Sequence, residues 1–347
     1  MHLRNRQLIQ QLEADTAALA LPEGRRVGQP GHDVAREYLL GRLENLGLVP
    51  FRGDSFELRY EGTHPRTRKN QRFANLVGVI PGEDRNLAPI LLGAHYDSVI
   101  DAPCADDNAT SVAMNLAIAE DFLQRPLQRD LIIALFDAEE PPHFLGPTMG
   151  STRFHEDHCA DVDFAAVIVS DLIGHDLKLS DLGVDVPGVD LMLPHARDVV
   201  FLLGAESDAV FPDIVEEIAR ETKKLRVFPT LNRYVGNLSD HHSFAKQGQP
   251  FLFLSCAQGR YYHDERDTLD WINFSKLARI TEFVTGLIEK IDETPGDPYR
   301  EPVDPLDFEL RMIREAVGPP LRPILKSFGI TMPESREEMD ALMGMLV

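Results

Sequence analysis

The chain has 347 residues, 43% of them hydrophobic, and its 56 Asp and Glu outnumber 35 Lys and Arg to give a formal net charge of -21. That length and apolar content allow one large α/β domain with an appendage, while the acidity argues against a nucleic-acid or anionic-membrane partner, since both need basic patches. The N-terminal stretch alternates apolar and polar residues at helical spacing without an apolar core of signal-peptide length, and no later run approaches a membrane span. Cys104, Cys159 and Cys256 form no CxxC pair and leave one over, so a reducing, cytoplasmic location is expected.

Residues 3–19 read as a surface helix, followed by the breaker LPEGRRVGQPG. A second helix is expected over 32–46, with Val34, Tyr38, Leu39, Leu43 and Leu46 on one face and Gly47 as its C-cap. Residues 51–60 and 73–80 read as strands around the basic, turn-rich THPRTRKNQR, and Pro81-Gly82 ends the second. The continuous apolar run 90–94 has the pattern of a central strand covered on both faces. Just beyond it His95 and Asp97 point the same way, because side chains of extended backbone alternate.

Asp107 or Asn108 is then placed to cap a helix whose apolar stripe is Val112, Ala113, Leu116, Ala119, Phe122 and Leu123. Residues 131–136 read as a buried strand ending at Glu139 and Glu140, and 164–169 as another ending at Ser170-Asp171. Further strands over 199–203 and 250–254, the latter leading to Tyr261, Tyr262 and His263, are interleaved with helices over 211–225 and 274–291. Such alternation predicts an α/β fold: a mixed, mostly parallel central sheet with helices on both faces. Residues 1–294 then form the main domain, the Pro- and Asp-rich 295–307 a linker, and 308–347 a small helical C-terminal extension. Its apolar contacts are Met312, Ile313, Leu321, Ile324, Leu325, Leu342 and Leu346, and it packs on the main domain or on a neighbouring chain, where it could support oligomerisation.

The chemistry lies where these strands end. A strand terminating in charged residues delivers them to the sheet edge at which ligands bind in open α/β folds. Two histidines and several carboxylates converging there would be a buried excess of negative charge, costing several kcal/mol per uncompensated ion. One or two dications would supply the missing charge. Imidazole and carboxylate without thiolate suit zinc, manganese or cobalt, zinc being the commonest hydrolytic choice. The adjacent Glu139 and Glu140 diverge, so one can hold a metal while the other takes a proton from water.

HYD with ADDNAT, then AEE, SDLIG, SDHHSFAKQGQP and finally YHDERDTLD resemble, in this order, the co-catalytic zinc aminopeptidases that include bacterial leucyl aminopeptidase and share their fold with glutaminyl cyclases. The resemblance covers about residues 28–289 and implies two zinc ions. His95 and Asp171 would bind one, Glu140 and His263 the other, and Asp107 both. It further implies Glu139 as general base, Asp97 as hydrogen-bond partner of the His95 ring, and a cis peptide after Asp107. His241 is as tempting a ligand as His263, but the family uses the later histidine, which leaves Asp240 and His241 to contact substrate or brace the site. His143, His155, His158, His175, His195 and His242 are expected to be exposed or locally satisfied.

The sequence departs from the pattern in two places. PPHFLGPTMGS after the glutamates is longer and richer in proline than the aminopeptidase turn. Tyr262 before His263 and the DLIG run are cyclase-like, whereas ADDNAT follows the aminopeptidases; cyclases replace the first Asp of that run and use a single zinc. The expected function is removal of the N-terminal residue from a peptide or small aminoacyl substrate. The alternatives are a one-zinc cyclase that closes N-terminal glutamine without water, and a non-catalytic binding protein of the same fold. Phe144, Tyr234, Tyr261 and Tyr262 are pocket-wall candidates, Tyr234 also as an oxyanion donor.

Overall fold

The computed structural model describes residues 2–178, 196–295, 302–317 and 332–346. Nine strands form one mixed sheet: β1 (Val49–Pro50), β2 (Glu57–Thr63), β3 (Asn70–Ile80), β4 (Ile90–His95), β5 (Leu131–Phe136), β6 (Ala166–Ser170), β7 (Val199–Leu203), β8 (Arg226–Thr230) and β9 (Phe251–Ser255). Their order is β1-β3-β5-β4-β6-β9-β7-β8, with β2 also paired to β3. The middle strands β5, β4, β6 and β9 run parallel, whereas β1, β2 and β3 join antiparallel at one side and β7 meets β9 antiparallel at the other. All four parallel strands therefore end at the same sheet edge.

Strict alternation divides the core into two layers. Leu92, Ala94, Leu131, Ile133, Ile168 and Leu252 face the helices His2–Leu19, Pro30–Leu46, Thr110–Phe122, Phe211–Glu221 and Phe274–Glu293. Leu91, Ile132, Ala134, Val167, Val169 and Phe253 face a thinner layer supplied by Phe154, Phe164 and Phe244. Burial on both faces is why these strands read as unbroken apolar runs. Gly47 closes the second helix at φ 82 as expected, but Val34 is 47% exposed rather than packed.

Two strands were not anticipated. β1 is two residues long, and β8 follows the helix expected over 211–225, which stops at Glu221 and gives way to a turn before the strand begins at Arg226. β8 contains Pro229 and lies at the end of the strand order, where a missing N–H is tolerated. The helix Leu306–Val317 lies against β8. Leu310, Ile313, Met339 and Met343 pack there with Phe228 and Tyr234, while Phe308 and Met312 join the main helical-face core. Leu321, Ile324, Leu325, His195, linker residues 296–301 and the side chains of Leu342 and Leu346 lie outside the described residues. No helix among the described residues is long and apolar enough to cross a membrane.

Candidate metal centre

The four parallel strands deliver their C-terminal residues to one place. His95 is the last residue of β4, Glu139 and Glu140 follow β5, Asp171 follows β6, and His263 lies in the loop after β9. Asp107 comes from the turn Ala105–Ala109 that enters the helix Thr110–Phe122. The backbone there is non-helical at Asp107 and Asn108, and the peptide between them is cis. Neither residue caps the helix, contrary to expectation. The Asn108 side-chain Nδ2 instead donates to the Ser170 carbonyl at 3.0 Å, and the Asp107 carboxylate turns toward the two histidines.

Asp107 divides its oxygens between two groups. Its Oδ1 lies 3.4 Å from His95 Nε2, which is also 3.6 Å from Asp171 Oδ1. Its Oδ2 lies 3.3 Å from His263 Nε2, itself 3.3 Å from Glu140 Oε2. In each triad, His95–Asp107–Asp171 and Asp107–Glu140–His263, one donor atom from every residue falls within 4.8 Å of the others. Glu139 Oε2 stands 3.8 Å from His95 Nε2. Asp97 Oδ1 is 3.4 Å from His95 Nδ1, long for a hydrogen bond. The Asp97 carboxylate instead accepts the amides of Glu139 at 3.0 Å and Glu140 at 3.2 Å, holding both glutamates in place.

The donors fit one or two cations. His95 Nε2, His263 Nε2, Asp107 Oδ2, Glu140 Oε1 and Asp171 Oδ1 are buried and make no hydrogen bond within the protein, an arrangement that is costly unless something else engages them. Burial, reinforced by the Asp107 charge, pushes the Glu140 carboxyl up to about 8. Burial also drives Glu139 well above the ordinary carboxylate range, with Glu140, Asp171 and Asp240 adding to the rise. Against the pull of burial, Asp107 and Glu140 lift the His263 imidazole to about 10. A cluster this short of positive charge, built from nitrogen and oxygen donors without thiolate, suits zinc. Ala138, Leu172 and His263 hold left-handed backbone, as does Cys104 three residues before Asp107; each such residue costs on the order of 1–3 kcal/mol, and such costs cluster at functional sites.

The remaining candidates separate. Asp240 is fully buried and close enough for its charge to act on His95, Asp97 and Asp171. His241 stacks on Phe253 at 4.2 Å and on Phe251 at 5.5 Å, so it braces β9 from within the core. Tyr262 stacks on the His263 ring at 3.7 Å and is 37% exposed, and Phe144 is half-buried in the loop after Glu140. Tyr234 requires correction as an oxyanion donor: its hydroxyl donates to Asp340 and accepts from Arg336 Nη1 at 3.1 Å, which ties it to the helix Arg336–Leu346. His175 is held locally, its Nδ1 paired with Asp106 at 2.5 Å and its ring stacked on Trp271 at 5.6 Å, while its buried Nε2 has no hydrogen-bond partner. Sequence reasoning missed Arg25, which is fully buried beside the Asp107 turn, because it reads there as part of a helix breaker.

The profile of Peptidase family M28 matches residues 75–288, well over half of the chain. The chain belongs to Peptidase family M28. The matched segment contains all five candidate ligands and Glu139. Among curated relatives, this M28 chain is 26% identical over 216 residues to Uncharacterized protein YfbL of Escherichia coli, covering 57% of the chain and 66% of the relative. It is 24% identical over 227 residues to Aminopeptidase YwaD of Bacillus subtilis, covering 63% and 45%. The chain thus spans less than two thirds of either relative's length. Two solved structures share the fold: glutaminyl cyclase of an Acidobacteriales bacterium, with TM-score 0.64, 21% identity and coverage of 82% and 94%, and a leucine aminopeptidase precursor of Bacteroides thetaiotaomicron, with TM-score 0.63, 16% identity and coverage of 81% and 96%.

Proposed function

We propose that this M28 chain is a two-zinc aminopeptidase. The observation that carries the reading is the Asp107 carboxylate, whose oxygens face two separate histidine–carboxylate pairs. His95 and Asp171 would hold one zinc, Glu140 and His263 the other, and Asp107 would serve both. Bound zinc supplies Lewis-acid polarisation of a scissile carbonyl and lowers the pKa of an attacking water.

The residues of the chain do the rest. Glu139, buried beside His95 and ligating neither pair, is the general base: one carboxylate oxygen takes the proton from the attacking water and then gives it to the leaving amine. Asp97 fixes its position through the Glu139 amide. The partly exposed His263 and Tyr262 mark the side from which a peptide enters.

The glutaminyl-cyclase reading is favoured by the DLIG run and by the aromatic Tyr262, which stacks on His263. In that chemistry Glu139 would shuttle a proton from the α-amine to the departing ammonia, with one zinc bound. Metal analysis of the purified chain combined with product analysis on leucyl and glutaminyl peptides separates the two. Two zinc ions per chain and release of the free N-terminal amino acid are expected. One zinc ion, with ammonia released and no free amino acid, would overturn the aminopeptidase reading.

A further inference from the structure

We infer that Arg25 is a positioning residue for the Asp107 carboxylate and so governs zinc affinity at both halves of the centre; this rests on the two-zinc reading above. Arg25 is fully buried. Its guanidinium has five N–H donors in a rigid fork, and all five are used on main-chain carbonyls. Nε donates to Tyr96 at 2.9 Å, Nη1 to Leu19 and Pro103 at 2.7 Å each, and Nη2 to Cys104 at 2.9 Å and Asp107 at 3.2 Å. Tyr96 lies between His95 and Asp97 at the end of β4, whereas Pro103, Cys104 and Asp107 belong to the segment that carries the shared carboxylate. One side chain thus sets the distance between two pieces of backbone whose side chains must meet.

The segment is held from its other side as well. The Asp267 carboxylate accepts the amides of Asp106 at 2.9 Å and Asp107 at 3.1 Å, and the Asp267 carbonyl accepts the Ala105 amide at 3.1 Å. Carbonyls gripped by a guanidinium and amides gripped by a carboxyl group leave the turn little freedom. Arg25 is itself anchored: its amide donates to Ser98 Oγ at 2.7 Å, and its carbonyl accepts the Ser98 amide at 3.3 Å. Gly24 before it, at φ +71, passes so close to Ile100 that a Cβ would lie 2.4 Å from that carbonyl oxygen. Because every hydrogen bond of the guanidinium goes to a neutral acceptor, no ion pair consumes its charge. That charge remains to act on Asp107 and Asp97.

A lysine at this position keeps the charge but offers three donors without the fork, so at least two of the five carbonyls lose their partner. The test is zinc binding to purified Arg25→Lys, by competition with a chromophoric chelator, together with melting of the metal-free and zinc-loaded forms. Affinity should fall roughly 10- to 100-fold at both equivalents, the range seen when residues supporting a ligand are lost, and the rise in Tm on adding zinc should shrink. Ser98→Ala, which loosens the Arg25 main chain without touching the guanidinium, should shift both readouts the same way by less. It stands in if Arg25→Lys does not fold. Unchanged zinc affinity in the folded variant, or a Tm loss equal in metal-free and loaded forms, would overturn the inference, as would a loss confined to one equivalent. Failure of the wild-type chain to bind two zinc ions would instead overturn the two-zinc reading.

Discussion

His95 and His263 face the same carboxylate but are held in different ways. His95 ends a strand paired on both sides and is fully buried, with Asp171 on the neighbouring strand end. His263 sits in a loop, in left-handed backbone, with 27% of its side chain exposed and Tyr262 stacked over it. One half of the centre is thus set by the sheet, the other by a loop open to solvent. The His95 side is closed to solvent and the His263 side is partly open, and the Asp107 carboxylate faces both.

Glu139 stands between the halves, beside His95 and next in sequence to Glu140, and the largest effect is expected there. Glu139→Gln should lower kcat about 10²- to 10⁴-fold, the usual contribution of a general base, while zinc content stays at the wild-type value. A variant that still hydrolyses at the wild-type rate would remove Glu139 from the chemistry. One that loses zinc would make it a ligand of the buried half.

The histidines test the asymmetry directly. His95→Ala should lose both zinc equivalents, because the buried half and the shared Asp107 depend on it, whereas His263→Ala should keep one. Dialysis of the wild-type chain against a chelator should remove zinc in two phases, with activity lost in the first. A single phase, or two variants of equal zinc content, would break the distinction between a sheet-built and a loop-built half.

The sheet-built half was largely legible in the sequence and the rest much less so. Ile90 to His95 and Leu131 to Phe136 are apolar runs that stop at charge, because a strand buried on both faces can only carry polar groups at its ends. β8 was hidden by Pro229, a residue that argues against a strand except at an edge. At Asp107 the local pattern pointed to a helix cap and only the family resemblance to a cis peptide and a carboxylate facing the histidines, since Asp before an apolar stripe carries the same signature in either case. Arg25 left no signature at all: its five partners are main-chain carbonyls, which every residue has.

The core beneath β9 also has a predictable weakness toward acid. His241 is packed under β9 against Phe251 and Phe253, and burial, with the His242 charge adding to it, pushes its pKa down to about 3. Between the unfolded value near 6.5 and about 3, the unfolded chain binds a proton that the folded chain refuses. Stability from this group is therefore complete above pH 6.5 and is lost as pH falls, by on the order of 1.4 kcal/mol per pH unit. His241→Phe keeps a ring against the two phenylalanines and removes the titration. Between pH 6.5 and 5 its unfolding free energy should fall less than that of the wild type, by about 2 kcal/mol. Parallel declines in urea melts at the two pH values would show that His241 titrates normally.

The smallest effect is expected at Tyr234, and its size decides what that residue does. A hydroxyl stabilising a developing oxyanion is worth about 10²- to 10³-fold in kcat. A hydroxyl that ties one helix to another contributes about 1 kcal/mol of stability and nothing to the rate. The structure gives the Tyr234 hydroxyl to Asp340 and Arg336 of the C-terminal helix, beside Met339 and Met343 packed over β8. Tyr234→Phe should accordingly keep kcat within about twofold while lowering the unfolding free energy by about 1 kcal/mol. Asp340→Asn should lower melting at least as much, since it weakens the same tie from the other end and also the ion pair with Arg233. If Tyr234→Phe instead costs two orders of magnitude in kcat with melting unchanged, its hydroxyl leaves Asp340 when substrate arrives, and the open half of the centre extends as far as the C-terminal helix.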